Sequence, residues 1–234
     1  MRAIFLTFFL IYITSLLAQD YLLDVTIKRL DSKEIYLADF YGDKNNILDT
    51  AVPDTSGRFI FQISKEMHPG MYRLFLSKEV FFDIVYDKEN ITLESQVDYL
   101  YDSLNVIKSS ENKLYYSFLK EINLYQRKFE LLGPLVNYYP KNDEFYPNLS
   151  KEYISNQNHY SAFIEELIEE NKNSWTTKIV RQRQPLFFSP ELSEYERRNF
   201  ARDHFFDHID FTDVDLVRSN VYTTLAIEYI SLYS

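Results

Sequence analysis

Cysteine is absent from all 234 residues. Disulfide staples, thiolate metal sites and a lipid attached through a cysteine are excluded together. Glycine is almost as scarce, with Gly42, Gly57, Gly70 and Gly133 the only four. Phosphate-cradling loops of the G-x-G-x-x-G or Walker kind therefore have no sequence to form from. Long apolar runs are missing after the N-terminus, and tryptophan occurs once. In their place the chain has 20 tyrosines and 19 phenylalanines. These large, rigid side chains are enough to build cores without covalent cross-links.

Acidic residues outnumber basic ones 35 to 25, for a formal charge of −10. Nucleic acid and anionic lipid headgroups are repelled on average, so no nucleic-acid partner is expected. The densest basic patch, Lys178, Arg181 and Arg183, sits in a segment where Trp175, Ile179 and Val180 share the opposite face. It reads as the solvated end of a helix.

Met1 to Ala18 carries one cation, Arg2, then a predominantly apolar run from Ala3, and ends Leu-Leu-Ala-Gln. The run is shorter than the roughly 18–20 residues that span a bilayer, and Ala18 offers the small side chain that a signal peptidase accepts. A cleaved signal peptide over 1–18 is expected, with a lone anchor helix as the competing reading. Export to the periplasm or outer cell envelope follows, with no transmembrane segment once the signal is removed. The sequons at Asn90 and Asn148 matter only in a eukaryotic secretory pathway.

Two periodicities divide the rest. Over 19–97 apolar residues alternate in short segments bounded by turn residues such as Pro53 to Gly57 and Pro69-Gly70. Seven strands are predicted, among them Leu23, Val25 and Ile27 on one face and Phe59, Phe61 and Ile63 on another. They suggest an antiparallel β-sandwich. Over 98–234 the period becomes 3.6, predicting an all-helical region. A first helix follows Ser109 or Ser110, turns Tyr115, Phe118, Ile122 and Phe129 inward, and stops at Gly133-Pro134. A second starts near Ser150, and Ser193 to Glu196 spells a capping box. The last, from about Ser219, is strongly apolar, which suggests that more chain follows in a longer relative. The fold class is α+β.

Motifs for chemistry are few. His204 and His208 stand four apart, a helical spacing that lets two imidazoles approach one metal ion. Phe205 replaces the glutamate of H-E-x-x-H, and no third ligand can be assigned. They are weak metal candidates and read more simply as surface histidines. Ser110 to Lys113 spells S-x-x-K without its partner motifs. Glu165, Glu166, Glu169 and Glu170 lie on one helix face and cannot flank a sugar bond. No catalytic or cofactor-binding residue is assigned. Tyr138, Tyr139, Tyr146, Tyr153 and Tyr160 form a Tyr-rich 137–160 stretch that either lines a carbohydrate or peptide groove or fills the core.

Ile35-Tyr-Leu37, the stretch from Asp49 to Phe61, Pro69 to Leu74, Ser109 to Asn112, Arg198 to Phe211 and Tyr229-Ile230 occur in an order that resembles envelope proteins with a TlpA-like thioredoxin module. The match is to their N-terminal domain of unknown function and helical linker. In that family a C-x-x-C pair in a following domain performs the redox chemistry. This chain has no cysteine, so the resemblance implies a non-catalytic accessory region that positions, dimerises or binds clients. A protein partner or homo-oligomer is expected. The alternative is an envelope carbohydrate-binding protein or hydrolase that uses the Tyr-rich stretch.

Overall fold

The computed structural model describes residues 20–233, and the expected signal segment lies outside them. The fold is α+β: two four-stranded sheets, then five helices. The chain divides into two compact units. One takes in the chain up to Ala38 and Ile47–Ser109; the other takes in Asp39–Asn46 and everything from Ser110 onward.

The strands are β1 Tyr21–Lys28, β2 Ile35–Tyr41, β3 Lys44–Ala51, β4 Arg58–Ile63, β5 Gly70–Phe75, β6 Phe81–Tyr86, β7 Ile91–Gln96 and β8 Asn105–Lys108. They form a β-sandwich from sheets ordered β4-β1-β7-β8 and β3-β2-β5-β6. Period-two alternation buries Leu23, Val25 and Ile27 of β1 and Phe59, Phe61 and Ile63 of β4, with Asp24, Thr26, Ile60 and Gln62 between them turned outward. Within the first sheet β1 and β7 run parallel, with Val25 beside Leu93, whereas β1–β4, β2–β5, β5–β6 and β7–β8 are antiparallel. β8 adds an eighth strand to the seven expected. It has only Val106 half-buried and joins β7 through an irregular register, so no alternation marks it in the sequence.

Two local devices stabilise this unit. In the β3–β4 turn the Asp54 carboxylate accepts the backbone N–H groups of Ser56 and Arg58 at 2.7 and 3.1 Å and meets Arg58 Nε at 3.0 Å. Gly57 occupies the left-handed region there, at φ +77°. Across β5 and β6, Arg73 and Asp83 stand directly opposite and pair through two bonds of 2.6 and 2.9 Å, the guanidinium 3.9 Å from the Phe81 ring centroid. Both side chains are largely buried, so Asp83→Asn is expected to lower the unfolding free energy by about 1–2 kcal/mol in urea titrations.

The helices are α1 Ser110–Tyr138, α2 Tyr146–Glu170, α3 Trp175–Gln182, α4 Glu194–His204 and α5 Val221–Ser231. α1 and α2 pack antiparallel. Phe118 near the start of α1 meets Ile164 and Leu167 near the end of α2, and Val136 at the other end meets Tyr146 and Leu149. Midway, Tyr125 stacks on Tyr160 with ring centroids 4.9 Å apart. α1 does not stop at Gly133-Pro134 as the sequence suggests; it runs on to Tyr138. Pro134 offers no N–H to the Glu130 carbonyl, but the turn beyond it buries Val136 completely, and that burial outweighs one lost hydrogen bond.

The capping box at α4 forms. Ser193 Oγ accepts the Glu196 N–H at 3.3 Å, and the Glu196 carboxylate accepts the Ser193 N–H at 2.8 Å. The bonds from the Ser193 hydroxyl and backbone N–H hold the Glu196 carboxyl below its ordinary range. That contribution is present above the ordinary carboxylate pKa and fades as pH falls through the lowered value. Ser193→Ala is expected to cost about 1 kcal/mol near neutral pH in thermal unfolding, with a smaller difference in acid. At the far end of α5, Arg202 donates twice to the Leu232 carbonyl, at 3.0 and 2.6 Å. No helix among the described residues is long and apolar enough to cross a membrane.

Candidate functional site

α1 is fixed at its first turn by an acidic clasp. Glu111, 7% exposed, accepts hydrogen bonds from the Ser174 hydroxyl at 2.7 Å and from the backbone N–H groups of Trp175 and Thr176 at 3.1 and 2.8 Å. One carboxylate thus caps the N-terminus of α3, where the helix dipole favours negative charge, and ties it to α1. Thr176 Oγ1 returns a bond to the Glu111 carbonyl at 3.1 Å.

With its inner face on α2 and α3, α1 presents a second apolar face outward. Leu124, Leu131, Leu135 and Tyr138 are all exposed, Leu131 by 72% and Tyr138 by 76%. Spacings of seven, four and three residues place them within about 60° of one another at 100° per residue. Lys120, Arg127 and Lys128 flank this stripe, are exposed, and make no ion pair among the described residues. The inward residues of α1 were legible from the 3.6-residue period. The outer stripe carries a signal of its own, the seven-residue recurrence of Leu124, Leu131 and Tyr138, which a search for a single buried face passes over.

On the other side of the helical unit lies a groove of about 490 Å³, walled by Phe129, Tyr153, Tyr160, Phe188, Phe205 and Leu225 among others. Its buried amide, Gln157, is fully engaged by the Phe188 backbone, donating at 2.9 Å and accepting at 2.7 Å. Arg183 and Glu228 pair at its edge at 3.1 Å. Burial pushes the Tyr160 hydroxyl up to about 12 and raises that of Tyr153, so both phenols stay protonated at neutral pH.

The five tyrosines of the 137–160 stretch do not form a row of presented rings. Tyr146, Tyr153 and Tyr160 are core residues, Tyr139 is half-buried, and Tyr138 is exposed with its hydroxyl 3.2 Å from Glu194. The two histidines are not on one helix face. α4 ends at His204, whose Nδ1 bonds Asp207 at 2.7 Å, and His208 lies beyond it in a polar cleft with Lys178, Arg181 and Asp210. Among the described residues no three metal-ligating side chains converge. The basic patch separates too. Burial opposes the charge of Lys178, but its bonds to Asp215 and Asp213 at 2.5 and 3.2 Å prevail and raise its pKa, while Arg183 goes to Glu228. Glu165, Glu166, Glu169 and Glu170 are solvated, and the S-x-x-K spelling at Ser110 is a helix start in which Glu111 and Asn112 are the buried members. No family model, curated protein or solved structure matches the chain.

Proposed function

We propose that this chain is a non-catalytic accessory region of an exported cell-envelope protein of the thioredoxin-like type, and that it acts by holding a protein partner. The observation that carries the reading is the outer face of α1, four large apolar side chains left in water on a helix whose other face is already packed. Exposed apolar surface in an ordered arrangement marks an interaction site. The leader-like Met1 to Ala18 and the family resemblance support the envelope location and the accessory role.

The test is fractionation of cells that naturally produce the protein. The chain is expected in the envelope or periplasmic fraction, migrating in a complex larger than the monomer, and Leu131→Asp returns it to monomer size. A cytosolic location, or turnover of a compound by the purified chain that one point substitution abolishes, would contradict this reading. One observation favours a carbohydrate-binding alternative: Tyr153 and Tyr160 reach the wall of the groove. Calorimetric titration with soluble envelope oligosaccharides separates the two, since that alternative requires heat that Tyr153→Ala removes.

A further inference from the structure

We infer that the outer face of α1 docks an acidic amphipathic helix of a partner protein; this rests on the partner-holding reading above. The apolar stripe, Leu124, Leu131, Leu135 and Tyr138, is narrow, about the width of a coiled-coil seam and less than the broad face with which a helix lies in a lipid interface. Apolar residues of a partner helix recurring every three or four positions lie along such a seam.

Charge sets the chemistry of that partner. Lys120, Arg127 and Lys128 border the stripe and make no ion pair among the described residues, with Glu121 and Glu130 on the same helix turned from them, on a chain whose formal charge is −10. Carboxylates at the flanking positions of a docked helix supply those counter-charges, steering encounter and fixing register. A second copy of this chain fits less well. Side by side in parallel, its cations would face their own kind. Antiparallel about Leu131, the Arg127–Lys128 pairs of the two copies would lie about two helical turns apart, with no carboxylate on the stripe between them. The net negative charge works against an anionic membrane as the occupant.

The probes are two labelled three-heptad peptides with leucine at the seam positions and either glutamate or lysine at every flanking position. Each is titrated against the whole chain by fluorescence anisotropy. The glutamate peptide is expected to bind saturably and at least about tenfold tighter than the lysine peptide, with affinity falling as salt is raised. Leu131→Asp abolishes binding while the far-UV circular dichroism melt is unchanged, since Leu131 is exposed. Arg127→Glu with Lys128→Glu inverts the peptide preference.

Equal binding of both peptides, or no binding of either, overturns the inference. So does binding to phosphatidylglycerol vesicles that Leu131→Asp removes in the absence of peptide preference, or self-association in sedimentation that the same substitution dissolves. A chain that keeps a Leu131-dependent complex in cells yet shows no preference for the glutamate peptide overturns the acidic-helix inference alone. A parent chain that forms no Leu131-dependent complex in cells overturns the partner-holding reading itself.

Discussion

Glu111→Ala is expected to destabilise the helical unit by about 3–5 kcal/mol. The substitution removes the acceptor for one hydroxyl and two backbone N–H groups, and the N–H groups of Trp175 and Thr176 are buried. Each buried donor left unmade costs about 1–3 kcal/mol, and the partial positive charge at the start of α3 loses its counter-charge. Against a typical total of roughly 5–15 kcal/mol, such a loss leaves the unit marginal at physiological temperature. Glu111→Gln keeps the shape and one acceptor oxygen but places an NH₂ where the other oxygen accepted, so about half the loss is expected. Urea unfolding followed by far-UV circular dichroism measures both. A midpoint for Glu111→Ala within about 1 kcal/mol of the parent would show that the clasp contributes little.

Phe118→Ala is expected to cost a similar amount, about 3–5 kcal/mol, by a different route. The ring is 1% exposed and packs among Tyr160, Ile164, Leu167 and Val180, side chains drawn from α2 and α3. Truncation forfeits the transfer free energy of the ring and leaves a cavity between three helices that already constrain one another. Phe118→Leu fills most of that volume and is expected to cost less than half as much. The contrast between the two is the informative measurement, because a site able to collapse would give both variants nearly the same midpoint. In neither case should affinity for a partner at the outer face of α1 change at temperatures where the fold persists, since Phe118 points the other way.

Local patterns in the sequence carried the fold a long way. Alternation placed Leu23, Val25 and Ile27 on the inner face of β1, and the spelling Ser193 to Glu196 became the capping box that opens α4. These signals lie within one element, where period and capping chemistry dictate the outcome. What escaped was set by tertiary context. β8 is too short and too exposed to alternate, and the parallel pairing of β1 with β7 joins segments far apart in the chain. Pro134 marks a helix end in isolation, yet the burial of Val136 beyond it carries α1 onward. Glu111 spells a first-turn acid of its own helix, and only the arrival of Ser174, Trp175 and Thr176 reveals it as the cap of another.

The candidate site was less legible than the fold. The four-residue spacing of His204 and His208 predicts a shared helix face, which fails because the helix ends at the first of them. The tyrosines between 138 and 160 look alike in sequence, but burial divides Tyr146, Tyr153 and Tyr160 from the exposed Tyr138. The stripe on α1 was present in the letters throughout. Apolar residues at helical spacing point by default to one inner face, and a helix that is apolar on two faces declares its second only once the first is occupied.

A photoreactive amino acid placed at position 131 tests the central claim most directly, with position 166 on the solvated acidic face of α2 as the control. Irradiation of producing cells, followed by isolation of the envelope fraction, is expected to give one discrete adduct at position 131 and none at 166. The cross-linked peptide should come from a helix rich in leucine and glutamate. No adduct at either position, or the same adducts at both, would contradict the assignment of this face as the surface through which the chain works.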